Sequence, residues 1–134
     1  MHCRRNTWLM HWRCAHDALT HDAVMIDCGQ YPNFSEVDFP TGDPRPELLG
    51  KLQRARDIAG IPFVITSGVR PGDPKAHGGG WAADIRCNTS ADRLKMLRAL
   101  MKAGFKRIGI YNKHIHVDVW PDGPPNVAWV GVSQ

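Results

Sequence analysis

His77 opens the run H-G-G-G-W-A-A-D, which closes on Asp84, and further along the chain His114 to Asp118 reads H-I-H-V-D. Imidazole and carboxylate donors without thiolate suit a divalent cation of zinc's character, in a catalytic rather than a structural setting. His77, Asp84 and His116 are the candidate ligands. Three protein ligands leave a tetrahedral ion one open position, and hydrolysis is the chemistry such a position supports. Taken singly, each histidine is as easily a solvated surface residue; only the set carries the metal reading. Side chains alternate along a strand, so His114, His116 and Asp118 share one face while Ile115, Val117 and Val119 turn to the core.

Those residues need elements to hold them. Pro46 suits a first helical turn, and Leu48, Leu49, Leu52, Ala55, Ile58 and Ala59 recur at helical spacing until Gly60 and Pro62 stop the helix. Phe63 to Thr66 is a short strand candidate, followed by a Gly- and Pro-rich loop over 67–80. Trp81 to Arg86 reads as a second strand, carrying Asp84. Ser90 is expected to cap a second helix whose buried face is Leu94, Leu97, Leu100 and Met101, with Gly104 closing it. Phe105 to Tyr111 and Ile115 to Trp120 read as two more strands joined tightly through 112–114, and Val127 to Val132 as a final edge strand. Phe34 and Phe39 are expected to pack on the main body. The order predicts an α+β domain over 31–134, with a small, mainly antiparallel sheet and helices on one side.

Residues 1–30 differ in character, being rich in His, Cys and Trp, and are read as an N-terminal arm. Thr7 to Leu19 is a short-helix candidate. The four cysteines, Cys3, Cys14, Cys28 and Cys87, show no C-x-x-C spacing, so a closed zinc knuckle is not expected; His11, Cys14, His16 and His21 match no closed-site pattern either. The chain of 134 residues allows one modest core. No apolar run is long enough to span a bilayer, and no secretory signal is seen. The expectation is a monomer held in the cytoplasm, with reduced thiols and no membrane insertion. A net charge of +4 fits a polyanionic partner such as a cell wall, and equally an ordinary basic surface. No basic stripe with interleaved aromatics argues for nucleic acid.

Thr66-Ser67-Gly68-Val69-Arg70, then His77-x-x-Gly80-x-Ala82-x-Asp84, then His116-Val117-Asp118 together resemble the M15 peptidases. These are zinc D-Ala-D-Ala carboxypeptidases and related phage endolysins that cut peptidoglycan stem peptides, with a fold shared by hedgehog-type domains. The resemblance covers roughly residues 33–120, and Phe105 to Val119, with its Arg-Ile-Gly-Ile-Tyr run, looks most like the small phage-type branch. It implies a hedgehog/DD-peptidase-like fold, a Zn2+ cofactor held by His77, Asp84 and His116, and substrate recognition by Arg70. Ser67 would orient Arg70 or touch substrate, or serve only as a turn residue, and Arg70 read alone is a loop arginine in a surface ion pair.

Two positions depart from the family pattern. Lys75 stands where many members have serine, and Lys113 where many have an acidic general base. A protonated lysine cannot accept a proton, so the base falls to His114 or, second, to Asp118, which could equally orient His116. Trp81 and Tyr111 are candidates for the groove wall or for core packing. The expected function is a zinc peptidase acting on peptidoglycan stem peptides, as carboxypeptidase or endopeptidase. The alternative is a zinc-bearing cell-wall binding module of the same fold that has lost turnover.

Overall fold

The computed structural model describes residues 4–6, 11–13, 26, 27 and 29–132. Near the start, β1 (Arg4–Asn6) and β2 (His11–Arg13) form a two-stranded antiparallel ladder. The helix expected over Thr7 to Leu19 is therefore not formed at His11–Arg13; the rest of that segment lies outside the described residues, as do Cys14, His16 and His21.

The remaining elements are α1 (Pro46–Ala59), β3 (Ile65–Ser67), β4 (Ala82–Arg86), α2 (Ser90–Lys102), β5 (Arg107–Ile110), β6 (His114–Asp118) and β7 (Val127–Val130). The five strands β3 to β7 make one sheet in the order β3-β4-β6-β5-β7. Three ladders are antiparallel, but β7 runs parallel to β5. The fold is thus α+β with a mixed sheet rather than a purely antiparallel one. The parallel edge arises because β7 does not return beside β6. The chain leaves β6, skips over β5 and pairs on its far side.

Alternation divides the sheet into two faces. Ala83, Ile85, Ile115, Val117 and Ile108 join one buried cluster with Leu48, Leu49, Leu52 and Ala55 of α1 and Met96, Ala99 and Leu100 of α2. Both helices therefore cover the same face. Phe34 and Phe39 join this core, which reaches back to Ile26. Full burial of a residue such as Leu48, Leu52 or Leu100 is worth about 1.5–3 kcal/mol each. The opposite face is left for Asp84, His114, His116 and Asp118.

Helix α1 begins at Pro46 and ends on Gly60, whose left-handed backbone (φ 68°) sends its N–H to the Arg56 carbonyl; Ile58 lies outside the buried stripe. Helix α2 differs from expectation in two ways. Its N-cap is Thr89, not Ser90, and the Thr89 hydroxyl accepts from the Asp92 N–H at 3.1 Å. Its buried stripe is Met96, Ala99, Leu100 and Ala103, whereas Leu94 and Met101 are 53% and 59% exposed. The stripe 96, 99, 100, 103 meets the i, i+3, i+4, i+7 pattern in full, and small Ala99 and Ala103 let α2 approach its neighbours. No described helix is long and apolar enough to cross a membrane.

The cap assignment has a direct check. Thr89→Ala should lower stability by about 1 kcal/mol in urea unfolding, and Ser90→Ala should change it by less than about 0.5 kcal/mol. A larger loss at Ser90 than at Thr89 would contradict this cap.

Candidate metal centre

Strands β4 and β6 pair in a register that sets Asp84 directly opposite His116. Both side chains rise from the open face. The third member, His77, comes from the loop before β4. Its backbone is folded tightly there: a Cβ at Gly78 would lie 1.7 Å from the Asp73 carbonyl oxygen, so only glycine allows this turn. The turn is closed by Arg70 N–H to the His77 carbonyl at 2.9 Å and Gly78 N–H to the Lys75 carbonyl at 3.1 Å.

Three atoms converge. His77 Nε2 lies 3.2 Å from His116 Nδ1 and 3.4 Å from Asp84 Oδ1, and His116 Nδ1 is 3.0 Å from Asp84 Oδ1. His77 Nδ1 lies 2.7 Å from the Gly68 carbonyl, which can only accept, so this nitrogen carries the hydrogen. His116 Nε2 lies 2.7 Å from Asp118 Oδ2, a carboxylate that likewise accepts. The two outer partners thus turn a lone pair of each ring inward, beside a carboxylate oxygen. Three acceptor atoms at this spacing repel unless a positive charge sits among them. His77, Asp84 and His116 form a group that could hold a metal ion. The spacing fits, since a tetrahedron with bonds of about 2.0–2.1 Å has edges of about 3.3–3.4 Å.

Without a metal, a proton on His116 is the charge the site favours. Burial opposes the charged form of His116, yet hydrogen bonds to Asp118 and Asp84 outweigh it and raise its pKa. Burial likewise opposes charge on Asp84, but His116 and His77 hold its carboxyl far below the usual carboxylate range. Asp118 is also lowered: burial pushes it up, and His116, Arg107 and the Trp120 N–H together overcome this.

Each carboxylate is shared. Asp84 gives Oδ1 to the histidines, and Oδ2 accepts from Arg70 Nη2 at 2.9 Å. Arg70 is set by its Nε, which donates to Ser67 Oγ at 2.9 Å. Its Nη1 is 3.8 Å from Asp73 Oδ2, too far for a hydrogen bond, and the side chain is 48% exposed. Ser67 therefore orients Arg70, and Arg70, which lines the cleft, braces a candidate ligand. Asp118 repeats the pattern. Its Oδ2 takes His116, while Oδ1 accepts from Arg107 Nε at 2.6 Å and the Trp120 N–H at 3.1 Å.

A cleft of about 520 Å³ opens above the trio. Arg70, Lys75, Arg107, Tyr111, His114 and Trp129 line it beside the candidate ligands. His114 is half-buried and stacks on Tyr111, with ring centroids 4.3 Å apart. Both candidate proton carriers line the cleft, but both oxygens of Asp118 are already engaged, by His116, Arg107 and the Trp120 N–H. Tyr111 lines the cleft as one of its two expected roles; Trp81 does not, and stacks under the Arg45 guanidinium at 4.5 Å.

No family model, curated protein or solved structure matches the chain. The site is therefore read from its own geometry. Sequence inspection missed Arg107 and Trp129. Arg107 was within reach, because the β5–β6 register that pairs Ile108 with Val117 puts Arg107 across from Asp118. Trp129 was not, since only the parallel β5–β7 pairing sets it opposite Gly109.

Two outcomes follow for metal binding. A divalent metal displaces the proton that His116 holds, so affinity should tighten as pH rises from about 5.5 to 7.5; competition with a chromogenic chelator measures this, and flat affinity would contradict it. The same raised pKa stabilises the metal-free fold below the unfolded histidine value of about 6.5 and ceases to do so as pH rises through the folded value. Asp118→Ala, which frees the His116 ring, should weaken metal binding by about 10- to 100-fold in that titration.

Proposed function

We propose that this chain is a zinc-dependent peptidase that hydrolyses peptide bonds in bacterial peptidoglycan stem peptides, built on a hedgehog/DD-peptidase-like fold. The observation that carries the reading is the trio of inward-facing lone pairs, each braced from outside, at the floor of an open cleft. Two imidazoles and one carboxylate suit zinc better than calcium or magnesium, which favour all-oxygen shells. Zinc held by His77, Asp84 and His116 would supply Lewis acidity toward a carbonyl and lower the pKa of water to about 7. The resemblance of the three sequence blocks to M15 peptidases supports the substrate class, and the Arg107 to Tyr111 run supports the small phage-type branch. On this reading the chain is a cytoplasmic lysis enzyme that meets the wall when released to it.

The residues divide the work. Arg70, half-exposed at the cleft, presents its guanidinium to a carboxylate or acyl oxygen of the peptide, while its Nη2 stays on Asp84. His114 accepts the proton of the attacking water and delivers it to the leaving amine, its ring held flat against Tyr111. Asp118 keeps His116 in the tautomer whose Nδ1 faces inward, and Arg107 keeps Asp118 charged. Lys75, at the cleft edge, adds positive charge that draws an anionic stem peptide. A second reading, a zinc-bearing wall-binding module without turnover, has one observation in its favour: Lys113 occupies the position where the family carries an acidic base.

Incubation of the purified chain with zinc and peptidoglycan should release new amine or carboxyl termini, and a chelator should stop it. His114→Ala should lower kcat by about 100- to 10,000-fold at unchanged zinc stoichiometry. Full zinc occupancy with no cleavage of any stem peptide would favour the binding module.

A further inference from the structure

The cleft has an aromatic wall whose construction exceeds what packing requires. Across the sheet, His116 of β6, Gly109 of β5 and Trp129 of β7 sit in a row of paired positions. The indole lies directly over the glycine: a Cβ at Gly109 would fall 2.6 Å from Trp129 Nε1 and 2.7 Å from its Cε2. This lets Trp129 reach the His116 ring, with centroids 5.4 Å apart. Just past β7 the same device recurs, where a Cβ at Gly131 would fall 2.3 Å from Tyr111 Cε1. Two glycines thus clear the ground for one Tyr–Trp pair. The Arg107 guanidinium sits over the indole at 5.3 Å and pins it.

The pair is joined by one hydrogen bond, from Trp129 Nε1 to the Tyr111 hydroxyl oxygen at 3.1 Å. An indole N–H can only donate, so the phenol oxygen accepts there and its own proton must point elsewhere. Among the described residues no side chain or carbonyl takes that proton. The phenol ring is fixed by its stack on His114, and it lines the same cleft as the metal trio. The result is a phenol with its ring and oxygen fixed at the cleft and its own hydrogen left to donate to a ligand.

We propose that the Tyr111 hydroxyl, aimed by Trp129, donates a hydrogen bond to the scissile carbonyl oxygen of the bound peptide as that oxygen becomes anionic. The inference rests on the hydrolase reading and adds a catalytic residue to it. No proton is transferred. The carbonyl oxygen gains charge when water attacks, and a donor already in place stabilises that charge without reorganisation. Trp129 is a positioning residue that acts through Tyr111.

The test uses the full chain loaded with zinc, a stem-peptide substrate, and a phosphinate analogue of that peptide whose tetrahedral anion mimics the attacked carbonyl. Tyr111→Phe keeps the ring stack and removes only the hydroxyl. It should lower kcat by about 100-fold with KM within about twofold, and weaken phosphinate binding by a similar factor, at unchanged zinc stoichiometry. Trp129→Phe should produce a smaller fall in the same two quantities, because the hydroxyl remains but is no longer aimed. Its calorimetric phosphinate titration also serves if the tyrosine variant folds poorly. Substrate and phosphinate affinities that fall together, or a Tyr111→Phe kcat within about twofold of wild type, would overturn the inference and leave the hydrolase reading intact. A wild-type chain that cleaves no stem peptide and binds no phosphinate would overturn the hydrolase reading, and this inference with it.

Discussion

The pairing of Asp84 with His116 across β4 and β6 is the constraint on which the site depends. These are inner strands of the five-stranded sheet, flanked by β3 and β5, so their register is fixed by hydrogen bonds on both sides. A slip by one residue would turn Ile85 and Ile115 out of the core and the two polar side chains into it, at a cost no small domain can bear. The same hydrophobic alternation that builds the core therefore also places two of the three candidate metal ligands. His77 then needs only a short, glycine-folded loop to join them.

Charge is balanced in a repeated unit. Asp84 divides its oxygens between histidine and Arg70, and Asp118 divides its own between histidine and Arg107. The histidines keep Asp84 ionised despite burial, and His116 with Arg107 does the same for Asp118; each carboxylate in turn fixes an imidazole. Removing one partner from such a set leaves a buried charge uncompensated, which costs more than the pair itself contributes. The arrangement holds the inward lone pairs in place, and without a cation the raised pKa of His116 lets a proton take that role at low pH.

Much of this was legible in the sequence, and the parts that were not share a cause. The α1 boundaries follow from Pro46 and Gly60, whose backbone preferences act locally. The face shared by His114, His116 and Asp118 follows from strand alternation alone. The misread elements turn on non-local choices. The buried stripe of α2 is set by which side meets α1 and the sheet, and apolar residues at 94, 96, 97, 99, 100 and 101 offered two nearly equal faces. The Thr89 cap lost to Ser90 in the sequence because either hydroxyl can serve, and a one-residue shift of the helix start decides between them. The parallel placement of β7 has no local signature at all. Trp129, which depends on it, was invisible for that reason, whereas Arg107 needed only the register of a tight hairpin.

The edge position of β7 separates two properties that share one cleft. All three candidate metal ligands lie on β4, β6 and the loop before β4, and none is carried by the last strand. The indole wall is carried by β7, which attaches along β5 alone through a parallel ladder. Exchanging residues on that strand would reshape what the cleft admits while leaving the cation-holding atoms where they are. The domain is in this sense modular within a single sheet: its candidate ligands are held by inner strands and the loop before them, and the shape of its cleft is set at the rim.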